Sequence, residues 1–273
     1  MLRRTPGKPV EFSGRGIHTG QTSVMVVKPT TFGQGVVFKV NGTYIKAVVQ
    51  NAGDVDRRTD LLSGHTRIMT VEHVLAALSG LGFSDAVVEI QGPEVPFGDG
   101  SCLQLAEALQ NAGFVEGEEP APVARITAPL EFSFGHSFYR FLPSERPEIR
   151  CEIRYEHPFV PRQVIDIKIT RDNFLQQLAP ARTYAFFEEV EEVLARGLGK
   201  GGSLENVLII KKHGYMNQAR FPDEPVRHKA LDLLGDLYLT GAFMGFRIEA
   251  FRPGHKANRA AAAFLLKQKE FLI

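Results

Sequence analysis

The N-terminal part of the chain alternates apolar and polar residues from Ser23 to Lys28 and again from Gly35 to Val49, the period-two pattern of strands with one buried face. Within the second run Asn41-Gly42 separates Phe38-Lys39-Val40 from Thr43-Tyr44-Ile45, which predicts a type I′ hairpin. From Thr70 the period lengthens: Val71, Val74, Leu75 and Leu78 fall on one helical face, and Gly80 and Gly82 close the segment. A strand over 85–91, a loop reading Gly92-Pro93-Glu94-Val95-Pro96-Phe97-Gly98-Asp99-Gly100-Ser101 and a helix over 102–112 come next. Residues 116–124 follow, acidic and Pro-rich between Glu116 and Pro122, and read as an interdomain linker.

Beyond that stretch, strand-like segments recur at 126–134, 138–142, 148–155 and 164–169. An amphipathic helix over 185–196, a Gly-rich turn over 197–202 and an apolar strand over 206–210 interrupt them. The chain then runs helix (225–239), strand (246–251), loop (252–258), helix (259–267), the order in which its first half also ends. The expected fold is therefore α+β, with two similar two-layer sheet-plus-helices domains over 1–115 and 125–273 related by internal structural duplication, although their residues do not visibly repeat.

Composition narrows the function. Lys and Arg number 32 against 31 for Asp and Glu, a formal charge of +1, so no global field draws in a nucleic acid and none is expected as partner. Only Cys102 and Cys151 are present, with no run of 18 apolar residues and no charged-then-apolar leader, which predicts a soluble, cytoplasmic protein. A chain of 273 residues is long enough for a cleft between two halves that each bury a core.

Two helices carry polar residues in unusual places. Plotted at about 100° per residue, the later one puts Val226, Ala230, Leu233, Leu234 and Leu237 on one side and stacks His228, Asp232 and Asp236 at i, i+4 and i+8 on the other. An i, i+4 His-Asp pair leaves the helix in one direction, with Cβ atoms roughly 6 Å apart, and suits a single metal ion. A solvated face with a charge pair explains the stripe equally well. On the earlier helix Glu72 and His73 point away from the apolar stripe in an otherwise almost uncharged segment, and a histidine that merely hydrogen-bonds a neighbour is the plain alternative. If the two helices are equivalent, His73 completes a His/His/Asp set with His228 and Asp232 and leaves a fourth tetrahedral position open, as a catalytic zinc requires. Asp99 and His255 stand in matching loops after the matching strands, where a turn residue and a cleft residue look alike.

Thr70-Val71-Glu72-His73, Gly92-Pro93-Glu94-Val95-Pro96 with Asp99-Gly100-Ser101, Ala181-Arg182-Thr183, Gly201-Gly202-Ser203, Val226-Arg227-His228-Lys229-Ala230-Leu231-Asp232 with Gly235-Asp236-Leu237-Tyr238, and Gly254-His255 with Asn258 together resemble the UDP-3-O-acyl-N-acetylglucosamine deacetylases, zinc amidases of lipid A biosynthesis. The match runs in the family's order from Ser13-Gly14-Arg15-Gly16-Ile17-His18-Thr19-Gly20 to Asn258.

The resemblance implies two α+β layers with the active site between them and a βαβ insert over 183–210 that lines a passage for the acyl chain. It implies one catalytic zinc ion held by His73, His228 and Asp232, with Glu72 as general base. The Thr183 hydroxyl would stabilise the oxyanion, and His255, held charged and oriented by Asp236, would balance charge and protonate the leaving amine. Lys229 would meet the diphosphate of a UDP-linked acylated amino sugar, and Tyr184, Phe186, Gly202, Ser203 and Val207 would contact the substrate. A monomer with at most transient contact with a membrane surface is expected. Three departures stand out: Tyr184 replaces the usual Phe and adds a hydroxyl that needs a partner, Lys256 adds a cation beside the cleft, and Ser84-Asp85 replaces an Asp-Asn pair. None touches the metal or the base. A zinc amidohydrolase acting on another N-acetylated sugar is the alternative. A binding protein with structural zinc fits less well, because such sites close with four protein ligands.

Overall fold

The computed structural model describes residues 1–273 and is α+β, with half of its strands gathered into two five-stranded sheets. In the first, the spatial order is Val10–Arg15, Thr22–Lys28, Ala86–Gln91, Val36–Val40, Thr43–Lys46, and every neighbouring pair is antiparallel except Ala86–Gln91 with Val36–Val40. In the second, the order is Leu130–Phe134, Ser137–Leu142, Arg247–Phe251, Glu148–Arg154, Arg162–Lys168, and again only the third and fourth strands run parallel. Alternation sets which face is covered: along Thr22–Lys28 Ser23, Met25 and Val27 are buried while their neighbours are partly exposed. The hairpin forms as its sequence demands, with Asn41 at φ 48° and Gly42 at φ 80°.

Helices Glu72–Leu81 and Leu103–Ala112 flank the central strand of the first sheet in sequence, and Glu224–Leu237 and His255–Leu265 flank that of the second. Sixty buried apolar side chains form one continuous core through both halves. Its middle is the contact between Glu72–Leu81 and Glu224–Leu237, which pack backbone against backbone at Gly235. A Cβ built there would lie 2.2 Å from the carbonyl oxygen of Glu72, so only glycine allows this approach. No helix is long and apolar enough to cross a membrane.

Several elements differ from the sequence reading. Most of the acidic stretch read as a linker is strand Phe114–Pro120, which pairs antiparallel with Leu2–Pro6. The run at 126–134 is two strands, Val123–Ile126 and Leu130–Phe134, and they belong to different sheets. The amphipathic helix expected over 185–196 is a strand, Tyr184–Phe186, then a 3₁₀ turn and a shorter helix, Val190–Ala195. Tyr184–Phe186 pairs in parallel with Leu208–Lys211, so the segment is βαβ as the resemblance implies. Finally, the last helix begins at His255 rather than Arg259, directly after Gly254.

Candidate active site

The polar stripe of Glu224–Leu237 is not a solvated face. His228 is 2% exposed, and Asp232 and Asp236 are wholly buried. Close packing at Gly235 brings Glu72 and His73 of the facing helix against this stripe: His73 Nε2 lies 3.6 Å and His228 Nε2 3.4 Å from Asp232 Oδ1. Asp232 Oδ1 itself has no hydrogen-bond partner despite its burial. A buried carboxylate oxygen left bare beside two imidazole nitrogens is costly unless a cation completes it. Tetrahedral zinc with bonds of about 2.0–2.2 Å sets its ligand atoms roughly 3.3–3.6 Å apart, the spacing found here between the carboxylate and each ring.

The surroundings set the state of His228 and of Asp232. The His228 Nδ1–H donates to the carbonyl of Ala181 at 3.1 Å, which leaves Nε2 with its lone pair free. Burial pushes the His228 pKa down to about 3, so the ring is neutral. The Lys229 ammonium donates to Asp232 Oδ2 at 2.7 Å, and that turns Oδ1 toward the histidines. Burial disfavours the Asp232 carboxylate, yet His228, Lys229 and His255 outweigh it and hold its pKa well below the usual range. With His228 neutral, the lysine and His255 are the charges that act near pH 7.

Glu72 and His255 face one another across the same space, Nε2 to Oε1 at 3.9 Å. Burial lifts the Glu72 pKa to about 7, with Asp236 and Asp232 adding to the rise against the pull of His255 and His73. Burial works against the charged form of His255, but Asp236, Asp232 and Glu72 overcome it and raise its pKa to about 9. Its Nδ1 lies 3.0 Å from Asp236 Oδ2, an oxygen that also accepts from Asn258 Nδ2 at 2.9 Å. Tyr139 OH in turn donates to Asn258 Oδ1 at 2.7 Å.

Ahead of Glu72, Thr70 sits at φ 65°, a strained conformation for a β-branched residue, and its hydroxyl donates to Glu94 Oε1 at 2.7 Å. Glu94, wholly buried, also accepts from the main-chain N–H groups of His18 and Thr19. That ties the start of the Glu72 helix to the Gly16–Gly20 loop, on which the Gly201-Gly202 turn rests through Gly201 N–H to Ile17 O at 2.9 Å.

A cavity of about 560 Å³ adjoins this centre, with His228, Lys229 and His255 in its wall. Thr183, Tyr184, Phe186, Gly202, Ser203 and Val207 all line it. The added hydroxyl of Tyr184 meets Tyr155 OH in a short hydrogen bond. Lys256 pairs with Asp54 at 3.0 Å, and Ser84 donates to Asp85 at 2.7 Å, a local turn contact. Asp99 is apart from the centre: it accepts from Ser101 at 2.7 Å and pairs with Arg220 at 2.7 Å, so it braces the loop.

A model of the UDP-3-O-acyl N-acetylglycosamine deacetylases matches residues 3–267. The chain belongs to this family. Relatives named UDP-3-O-acyl-N-acetylglucosamine deacetylase include one from Saccharophagus degradans, 33% identical over 278 aligned positions that cover 99% of this chain and 92% of that protein. One from Chlamydia felis is 34% identical over 272 positions, covering 97% of each. One from Citrifermentans bemidjiense is 34% identical, covering 99% of this chain and 90% of its own.

Sequence reading missed three members of the site. Thr59 bridges Glu72 and Asp236, Arg259 braces Thr59, and Tyr139 fixes Asn258. Thr59 and Arg259 carry no periodic signal, Tyr139 reads only as an inward position of its strand, and the folded chain is what brings them in.

Proposed function

We propose that this chain removes the N-acetyl group of UDP-3-O-(3-hydroxyacyl)-N-acetylglucosamine, with one catalytic zinc ion, and so commits that substrate to lipid A synthesis. The observation that carries the reading is the bare Asp232 Oδ1 facing His73 and His228 with Glu72 adjacent, beside a largely apolar cavity that His228 and His255 also line. Family membership supplies the substrate class.

His73, His228 and Asp232 would hold the ion, which when bound supplies a Lewis acid to the amide and its attacking water. Glu72, poised near neutrality by burial, takes the proton of that water through Oε1. Thr183 offers its hydroxyl to the developing oxyanion, a donor worth roughly 3 kcal/mol where water is excluded. His255, held charged by Asp236, balances the developing charge and gives a proton to the leaving amine. Lys229 binds the diphosphate, and the lining of the 183–210 segment receives the acyl chain. Matching strand orders in the two large sheets support the duplicated two-domain architecture, over 1–115 and 125–273, with the site between the halves. A cytoplasmic monomer is part of the same reading.

Separating metal binding from rate tests these roles. His73→Ala and Asp232→Ala should lose zinc and acetate release together, while Glu72→Gln should keep zinc and lose a factor of about 10² to 10⁴ in rate. Zinc loss in the Glu72 variant would make it a ligand instead of the base.

A further inference from the structure

Thr59 lies in the loop before strand Leu61–Ser63 and is wholly buried. Its main-chain N–H donates to Glu72 Oε2 at 3.0 Å, and its hydroxyl donates to Asp236 Oδ1 at 2.5 Å. In the second bond the hydroxyl is the donor and the carboxylate oxygen the acceptor. The hydroxyl oxygen accepts in turn from Arg259 Nη1 at 3.2 Å. That guanidinium is 5% exposed and also donates to the carbonyls of Arg58 at 2.8 Å and Val55 at 2.7 Å. Arg259 therefore anchors the loop at Val55 and Arg58, just ahead of Thr59, and its charge strengthens the hydroxyl as a donor.

We propose that Thr59 is a positioning residue, holding in one frame the carboxylate that takes the proton and the carboxylate that orients His255. This rests on the roles given above to Glu72 and His255. With Oε2 of Glu72 tied to the main chain, Oε1 is the oxygen left facing His255 and the cleft. With Oδ1 of Asp236 tied to the Thr59 hydroxyl, Oδ2 stays on His255 Nδ1 and Asn258. One residue of the first half thus sets the relative placement of two groups on different helices. Losing the hydroxyl lets the Asp236 carboxylate turn, and the imidazole loses its fixed aim. Partners one step removed from a reacting group are typically worth about 10- to 100-fold in activity.

The test compares Thr59→Val, which keeps the shape and the main-chain bond but loses the hydroxyl, with Thr59→Ser, which restores it. Thr59→Val should lower kcat about 10- to 100-fold with KM and bound zinc unchanged. Thr59→Ser should recover most of the rate. In zinc-loaded protein with ¹⁵N-labelled histidine, the His255 Nδ1–H resonance should shift or broaden in the Val variant and return in the Ser variant. Parent-like kcat in Thr59→Val, an equal fall in both variants, or zinc loss that tracks the rate would overturn the proposal. Full activity in the Glu72→Gln control would instead sink the reading on which it rests.

Discussion

Gly235→Ala sets two effects of opposite sign against each other. Inside a helix, alanine is favoured over glycine by about 1 kcal/mol, so propensity alone predicts a more stable protein. The structure predicts the reverse. A Cβ at Gly235 would stand 2.2 Å from Glu72 O and 3.1 Å from Ala76 N. Carbon and carbonyl oxygen approach no closer than about 3.3 Å at ease, so the helices must part by about 1 Å. Both contacts are helix backbone, which cannot rotate aside as a side chain does. Overpacking of this kind costs about 1–3 kcal/mol, enough to cancel the propensity gain and leave the variant less stable. The same displacement carries His73 away from Asp232, from a separation of 3.6 Å that already lies at the upper end of what one zinc ion bridges. Denaturant unfolding of metal-free protein and competition with a chelator measure the two consequences separately. Lower stability together with weaker zinc binding is expected. A variant as stable as the parent with undiminished zinc affinity would refute the claim that this helix contact sets the metal geometry.

The pH profile has a fixed sign. With Glu72 acting as a carboxylate and His255 as an imidazolium, as proposed, kcat/KM should fall as pH drops through about 7 and again as it rises through about 9. A bound divalent cation favours the carboxylate and opposes the imidazolium, which places both limbs at or below those values. An alkaline limb unchanged in His255→Gln would remove that residue from the profile. Tyr184→Phe should cost about 1 kcal/mol by leaving Tyr155 OH without its partner, and adding Tyr155→Phe should recover most of it. Additive losses in the double variant would show that the two hydroxyls do not act as a pair.

Much of this site was written in local pattern. The His228, Asp232, Asp236 stripe and the Glu72-His73 pair stand out because helices repeat every few residues and these positions break the apolar rule. Their burial was not legible, since a polar stripe reads the same in water as against a second polar stripe. Strand Phe114–Pro120 was invisible for a related reason: almost all of its residues are exposed, so no alternation betrays it, and its partner lies at the far N-terminus. The span 185–196 reads as one amphipathic helix, although Phe186 pairs in a strand with Ile210. The breakers Pro253 and Gly254 made His255 look like a loop residue, when Gly254 caps the helix that His255 begins. Thr59 and Arg259 carry no local signal at all. They are recognisable only as the groups that satisfy buried carboxylates and carbonyls once those have met.

The cavity and the candidate metal site are expected to act together in one zinc-dependent deacetylation. Acetate release from UDP-3-O-acyl-N-acetylglucosamine, measured for zinc-replete and chelated protein beside the unacylated sugar nucleotide, tests it most directly. The account predicts release that disappears on chelation, returns with zinc and depends on the acyl chain. Equal release from both substrates would contradict the role given to the cavity, and no release from either by zinc-loaded protein would contradict the deacetylase reading itself.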